Sequence, residues 1–193
     1  MHTTRFFPCC LMLGTLVLSG AALPAAAEEY TYDGVHSSVS FKARHIDISW
    51  IHGRFNQVSG KFNLDRKEPS KSTFQLTIQV ASIDTANEPR DEHLRQGDYF
   101  DAKQFPTIEF QSTSVKPLRD GYEVTGDFTM HGVTKRITFP LLGGQEVEWM
   151  NSKHVGFSTE LKLKRSDFNF DKSQIGTIGD EAIIMIDCEG MRK

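Results

Sequence analysis

Cysteine is scarce in this chain. Its 193 residues include three cysteines, and two of them, Cys9 and Cys10, lie close to the N-terminus. So few thiols exclude a disulfide-stapled mini-domain, which depends on several cystines for its stability. After residue 27 only Cys188 remains, and one thiol cannot form an intrachain disulfide. The folded part is therefore held together by its hydrophobic core.

An excess of one charge is also missing, since 22 Lys and Arg oppose 25 Asp and Glu for a net charge of −3. This balance excludes a strongly basic nucleic-acid-binding protein. The chain has no paired Cys-x-x-Cys motif and no two histidines on one helical face, so residue spacing predicts no metal site. It also lacks a nucleophile motif such as Gly-x-Ser-x-Gly, so we expect no catalytic residues and no cofactor.

Acidic side chains are absent from residues 1–27, where 17 residues are apolar. Arg5 supplies a cationic start, Leu11–Leu18 is an apolar run too short to span a bilayer, and Ala25–Ala27 has the small side chains that a signal peptidase requires. We therefore predict a cleaved signal peptide, no transmembrane anchor, and one exported domain comprising residues 28–193.

Helical periodicity is nearly absent from that domain, in which apolar and polar residues alternate in successive runs. This pattern is typical of an all-β protein with one buried face on each strand. Three dipeptides that contain glycine predict turns of an antiparallel meander: Asp120-Gly121, His131-Gly132 and Gly143-Gly144. The pattern by itself fits a sandwich and a barrel equally well.

One segment interrupts the alternation. Asn87 is a capping residue, Pro89 lies in the first turn and Gly97 ends the run, which predicts a short helix near residues 88–97. Because Tyr99 and Phe100 follow directly, this helix would plug one end of a barrel.

Phenylalanine concentrates on the apolar rows of the strands. Such rows form either a packed core or the lining of an apolar cavity, since the interior of an eight-stranded barrel is at the borderline between filled and hollow. His45 lies on an apolar row as well. It is either a hydrogen-bonded core histidine or a polar contact for the head group of a ligand.

Several motifs occur in a fixed order: Asp84-Thr85, Arg90-Asp91-x-His93-Leu94, Asp98–Asp101, Phe105–Phe110, Val124–Lys135, Phe157 with Arg165–Phe168, and His45 with Ser49-Trp50 and Gly53–Phe55. Their order and spacing, over nearly all of residues 29–190, resemble the YceI-like, polyisoprenoid-binding, lipocalin-like family. The resemblance implies an extended eight-stranded antiparallel barrel that holds a long isoprenoid or related amphiphilic lipid, such as a polyprenyl compound or a quinone. It also implies a periplasmic homodimer without catalytic residues.

From the resemblance and the apolar rows together we expect sixteen residues to bind the ligand, with His45 and Trp50 near its polar head and Tyr99 and Phe100 near the mouth. The sixteen are Phe41, His45, Trp50, Phe62, Phe74, Leu76, Ile78, Tyr99, Phe100, Phe128, Met130, Phe139, Phe157, Leu161, Ile184 and Ile186.

Two alternatives remain open. One is a lipid-modifying enzyme that uses His45 or His93 as an acid or base. Asp91 and His93 are two residues apart and do not face each other on a helix, so they do not form a ready-made pair. The other alternative is an interaction module with a solid core and no ligand.

Overall fold

The computed structural model describes residues 28–171, 173 and 176–192. The predicted signal peptide lies outside the described residues. Within them, no helix is long and apolar enough to cross a membrane.

Ten strands and one α-helix form the described chain, in agreement with the all-β prediction. The strands are β1 (Glu28–His45), β2 (Ser49–Phe55), β3 (Val58–Leu64), β4 (Thr73–Gln79), β5 (Ile83–Asp84), β6 (Thr107–Leu118), β7 (Gly121–Met130), β8 (Val133–Trp149), β9 (Ser152–Lys164) and β10 (Ile178–Arg192), and the helix is α1 (Glu88–Leu94).

The strands close into a barrel because β1 pairs with β10 at the end of the series β10, β9, β8, β7, β6, β4, β3 and β1. β2 and β3 are two halves of one bent strand, since β1 pairs with β3 through Glu28–Thr31 and with β2 through Val39–His45. β5 pairs with β2 just as β4 pairs with β3. The ring therefore has eight antiparallel positions, which confirms the barrel and excludes the sandwich.

The predicted apolar rows face the interior, as Phe74 and Ile78 of β4 illustrate. Ile183 belongs to none of these rows. It stands on the outer face of β10 and yet is only 7% exposed. Its partners in the neighbouring strands are Lys42 and Lys162. Long lysine stems cover apolar surface while their charged ends stay in water.

The predicted helix is present, and it ends at Leu94. The side chain of Asn87 caps it by accepting the N–H of Arg90 at 3.1 Å. Asp91 is 3% exposed and accepts two hydrogen bonds from Thr85, one from the backbone N–H at 2.9 Å and one from the hydroxyl at 2.5 Å. Asp91 thereby ties α1 to the end of β5 and holds the helix at one end of the barrel.

Gly143 and Gly144 do not form a turn between strands, so that prediction was wrong. They lie inside β8, where the pairing with β9 shifts register, and their φ angles are +108° and +95°. A β-bulge uses the same left-handed backbone that a tight turn requires, so sequence alone does not separate the two. The turn comes later, at Met150 and Asn151, with φ angles of 47° and 60°. The other two glycine turns are present before β7 and β8.

One end of the barrel, here called the packed end, is filled with aromatic rings. The Phe157 ring centroid lies 5.5 Å from those of Phe62 and Phe74, and both contacts are edge-to-face. Tyr30 stacks on Phe62 at 5.4 Å, and Tyr122 lies 6.2 Å from Phe157. This geometry is the preferred one for aromatic pairs.

A polar network closes the packed end. Tyr30 donates a hydrogen bond to Glu146, which also accepts one from Lys153 at 2.8 Å, and Arg192 pairs with Glu28 at 2.6 Å. Burial by itself raises the pKa of Glu146, but the hydrogen bonds from Lys153, Tyr30 and Arg192 outweigh burial and lower the pKa to about 2.

The opposite end, here called the cavity end, is covered by α1 and by the two segments that carry Phe100 and Phe170. Phe100 contacts Phe170 edge-on at 5.0 Å and Phe55 at 6.0 Å. These contacts fix the segment after α1 against the barrel wall.

Candidate functional site

An apolar cavity of about 230 Å³ lies within the barrel. Phe62 and Phe74 form its floor, where it meets the packed end, and Leu94 of α1 contributes to the opposite side. Ala43 and Ala182 pair across β1 and β10, and both line the cavity. Their small side chains leave room that larger residues would fill.

Thirteen of the sixteen predicted residues line this cavity. They are Phe41, Phe62, Phe74, Leu76, Ile78, Tyr99, Phe100, Phe128, Met130, Phe139, Leu161, Ile184 and Ile186. The structure therefore brings them around one space, and their role in binding a ligand stays a prediction.

Phe157 does not line the cavity. It is on the inward face of β9 as predicted, but at the packed end, where it is 3% exposed among other rings. Alternation indicates which face of a strand is buried and not how far along the barrel the interior is filled.

Trp50 lies on the outside of the barrel, so its predicted place in the cavity was wrong. The residue is 39% exposed, and its ring is covered in part by Lys42 and Arg44, whose cationic groups lie 5.4 and 4.9 Å from the ring centroid. The next residue, Ile51, lines the cavity instead. Adjacent side chains of a strand point to opposite faces, which places Trp50 outside.

His45 is also absent from the cavity lining, and its predicted contact with a ligand head group stays a prediction. It is the last residue of β1, paired with Ser49 and Ile178, and the chain turns immediately afterwards at Ile46 and Asp47. His45 keeps the expected row but lies beyond the cavity.

Arg90 brings a positive charge to the cavity lining. Its Nε donates to the Thr85 hydroxyl and its Nη2 to the Thr85 carbonyl, both at 2.7 Å. Within the described residues it forms no ion pair with a carboxylate. The two hydrogen bonds fix the guanidinium at the cavity end.

Arg165 is a second cation in the lining, and it is 9% exposed. Its Nη1 donates to the carbonyl of Ile178 at 3.0 Å, and its guanidinium lies 5.7 Å from the Phe170 ring centroid. Burial lowers the pKa of Arg165, but an arginine at this position stays protonated. Within the described residues no carboxylate lies within 4.0 Å of its guanidinium nitrogens, although the nearby Asp180 raises its pKa.

His93 borders the same end of the cavity. It shares a hydrogen bond of 2.7 Å with Asp98, and its ring meets that of Tyr99 edge-on at 4.9 Å. Burial raises the pKa of Tyr99, and the nearby Arg165 opposes this effect. The polar side chains of Arg90, His93 and Arg165 thus all line the cavity.

The sequence profile of the YceI-like domain family matches residues 30–190. The chain is 35% identical over 185 residues to Protein YceI of Escherichia coli O157:H7, which covers 95% of this chain and 96% of that protein. A crystal structure of the Campylobacter jejuni YCEI protein has 31% identity and a TM-score of 0.70, covering 78% of this chain and 90% of that one. This chain belongs to the YceI-like family.

The YceI-like fold extends to more distant proteins. A polyisoprenoid binding domain from Saccharophagus degradans superposes with a TM-score of 0.65 at 16% identity, covering 88% of this chain and 100% of that one. At this identity the likeness shows the fold alone.

Several residues of this YceI-like cavity were not among the predicted sixteen. Ala43, Leu163 and Ala182 stand on apolar rows of the alternating pattern and were identifiable from it. Arg90 and Arg165 carried no such signal, because a charged residue in a loop or a short helix is usually solvated.

Cys188 lines the cavity too. Burial raises the pKa of its thiol to about 12, and the nearby Asp187 and Glu189 add to this effect. A thiol in this state is a poor nucleophile, since the thiolate is the reactive form.

Proposed function

We propose that this YceI-like protein binds one amphiphilic lipid and carries or sequesters it without changing it chemically. The observation that supports this proposal best is the polarity of the cavity. Packed rings close its floor, apolar side chains form its walls, and Arg90, His93 and Arg165 border the opposite end.

The tail of the lipid would lie between the apolar walls. Burial of apolar surface contributes roughly 25 cal/mol per Å², or about 0.8 kcal/mol for each CH₂ group. A hydrocarbon tail needs no hydrogen bonds in such a site, so its length and thickness set the selectivity. An isoprenoid is our preferred class because the Saccharophagus degradans domain of the same fold is described as polyisoprenoid-binding.

The cavity volume limits the length of the tail. A volume of about 230 Å³ is below the ~300–1,000 Å³ of most small-molecule pockets. A tail of a few isoprene units therefore fits more readily than a polyprenyl tail, which requires lining side chains to move.

The polar head of the lipid would lie at the cavity end. Arg90 and Arg165 each use part of the guanidinium for hydrogen bonds to oxygens of the protein, and the remaining N–H groups are donors for a head group. We assign this role to the two arginines in place of His45 and Trp50.

Export and dimerisation belong to the same proposal. A mature protein that begins at Glu28, found by mass spectrometry of the periplasmic fraction, would support the signal peptide. Retention of residues 1–27 would contradict it. Light scattering that gives twice the chain mass would support a homodimer.

The test of binding uses geranylgeraniol, an uncharged C20 isoprenoid, in calorimetric titrations of the delipidated protein. Organic-solvent extracts of protein purified without delipidation are examined by mass spectrometry alongside. We expect saturable binding and a co-purifying lipid. Failure of both would overturn the proposal.

A matched pair of variants tests whether the tail of the lipid binds inside the barrel. Ala182→Phe puts a ring into the cavity and should weaken binding at least tenfold, whereas Thr138→Phe adds the same ring on the exposed outer face of β8 and should leave binding unchanged. Equal affinity in the two variants would contradict binding inside the barrel.

The enzyme alternative now depends on His93, because His45 lies outside the cavity lining while His93 borders it and pairs with Asp98. Long incubation with the bound lipid distinguishes the two functions. Unchanged lipid supports carriage, and turnover that disappears in His93→Gln would support catalysis.

A further inference from the structure

A second cluster of functional side chains lies on the outer face of the barrel, where the pairing of β1 with β10 is interrupted. Asp33 pairs with Glu189 and Ser38 with Asp187, so that four residues of β1, 34–37, stand opposite one residue of β10. Bulges of this kind redirect side chains and often lie beside functional sites.

Three potential ligands converge at this bulge. Single ligand atoms of Asp33, His36 and Glu189 all lie within 4.8 Å of one another, and His36 Nδ1 is 2.7 Å from Asp33 Oδ2. Asp33 is 5% exposed, whereas the side chains of His36 and Glu189 are about half exposed. An ion can therefore reach the cluster from solvent.

Backbone contacts hold these ligands in place. The N–H of Val35 donates to Asp33 Oδ1 at 2.9 Å, which leaves Asp33 Oδ2 facing His36. The N–H of Glu189 donates to the Ser37 hydroxyl at 2.9 Å. This last bond ties the bulge to β10, although the two segments are about 150 residues apart in the chain.

His154 of β9 lies beside this cluster. Its side chain is 11% exposed. Its Nδ1 lies 3.9 Å from Glu189 Oε2, and Trp149 covers the ring at 5.7 Å between centroids. An ion bound beside Glu189 would therefore have the imidazole of His154 close to it as a further ligand.

We propose that Asp33, His36, His154 and Glu189 form a zinc-binding site. Two imidazoles and two carboxylates match the ligands that Zn²⁺ prefers, whereas Mg²⁺ and Ca²⁺ require oxygen ligands throughout. Ligand atoms around tetrahedral zinc lie about 3.3–3.6 Å apart. To enclose the ion, His36 Nδ1 and Asp33 Oδ2 must therefore separate from 2.7 Å, and Glu189 and His154 must move closer to them.

A simple ion pair between His36 and Asp33 does not account for the whole arrangement. It explains their contact of 2.7 Å, but it explains neither the approach of Glu189 nor the buried ring of His154. The zinc site uses all four side chains. It lies on the outer face of the barrel and does not depend on the proposed lipid binding.

The test is calorimetric titration of ZnCl₂ into protein that carries no histidine tag and has been freed of metal with a chelator. We expect one Zn²⁺ per chain. His36→Gln, His154→Gln and Glu189→Gln should each weaken binding at least tenfold. His52→Gln, on the outer face of β2 and outside the cluster, is the matched control and should bind as the unmodified protein does.

Visible absorption of the Co²⁺-loaded protein gives an independent readout, because d–d bands report the number and type of ligands. We expect the spectrum to change in His36→Gln and in His154→Gln and to stay unchanged in His52→Gln. The proposal is overturned if zinc does not bind at one site per chain, if His154→Gln binds with full affinity, or if millimolar Mg²⁺ displaces the zinc.

Discussion

The two ends of this barrel are made of the same alternating strands, yet one is filled and the other encloses a cavity. At the packed end Phe62, Phe74 and Phe157 meet ring to ring. Toward the cavity end the paired residues Ala43 and Ala182 stand where large side chains would close the space. The comparison shows that alternation determines which residues point inward, while the sizes of facing side chains determine whether the interior is solid.

The largest difference between the ends is expected for truncation of an inward phenylalanine. Phe157→Ala should lower the free energy of unfolding by about 3–5 kcal/mol, because it opens a void among tightly packed rings. Phe41 borders a space that already exists, so Phe41→Ala should lower the free energy of unfolding by about half as much. Urea denaturation of both variants measures this, and equal losses would show that the two ends are packed alike.

Acid should weaken the packed end through Glu146. Because the pKa of Glu146 in the folded protein is about 2, below its ordinary value, ionised Glu146 stabilises the fold above about pH 4.5, and this stabilisation is lost as the pH falls toward 2. The contribution is about 2–3 kcal/mol. Glu146→Gln should lose it at neutral pH and show a flatter acid limb in denaturation curves recorded from pH 2 to 7. Glu123→Gln, at an exposed ion pair, should leave the curve unchanged.

The cavity end should respond most to the loss of its helix anchor. Asp91→Ala leaves the N–H and hydroxyl of Thr85 without their acceptor and should cost about 1–3 kcal/mol. Hydrogen exchange should accelerate in α1 and β5 and not among the rings of the packed end. Glu92→Ala, on the exposed side of the same helix, serves as the control. Uniform acceleration throughout the barrel would show that its ends are not independent.

The last prediction concerns the chemical reactivity of Cys188 in the cavity lining. At pH 8 its raised pKa of about 12 keeps the thiol protonated, so iodoacetamide should label the folded protein roughly 10³-fold more slowly than the urea-unfolded chain. Rapid labelling of the folded protein would indicate that the cavity opens readily to water.

Much of the fold was predictable because it depends on local rules. Alternation placed the inward rows of β4, β7 and β9, and the order of Asn87, Pro89 and Gly97 predicted α1. The turn assigned to Gly143 and Gly144 failed, because a bulge and a turn use the same positive φ.

The candidate site was predictable only in part. Most of the chosen phenylalanines line the cavity because they belong to inward rows. Trp50 and Phe157 do not line the cavity, for different reasons. Trp50 points to the outer face of β2, and Phe157 lies at the packed end of the barrel axis. A short sequence window does not show to which face a side chain at a strand end points. It also does not show how far along the barrel axis a residue lies.

By itself, the sequence determined that the chain is all-β, that its interior is lined by alternating apolar rows, and that it resembles the YceI-like family. These properties follow from the two-residue period of a strand and from ordered motifs along the chain. The tertiary structure alone decided where the interior stays open, that Arg90 and Arg165 border the cavity, and that Asp33, His36 and Glu189 converge on the outer face beside His154. The physical reason is barrel closure, which brings β1 beside β10 and so joins residues that are about 150 positions apart in the chain.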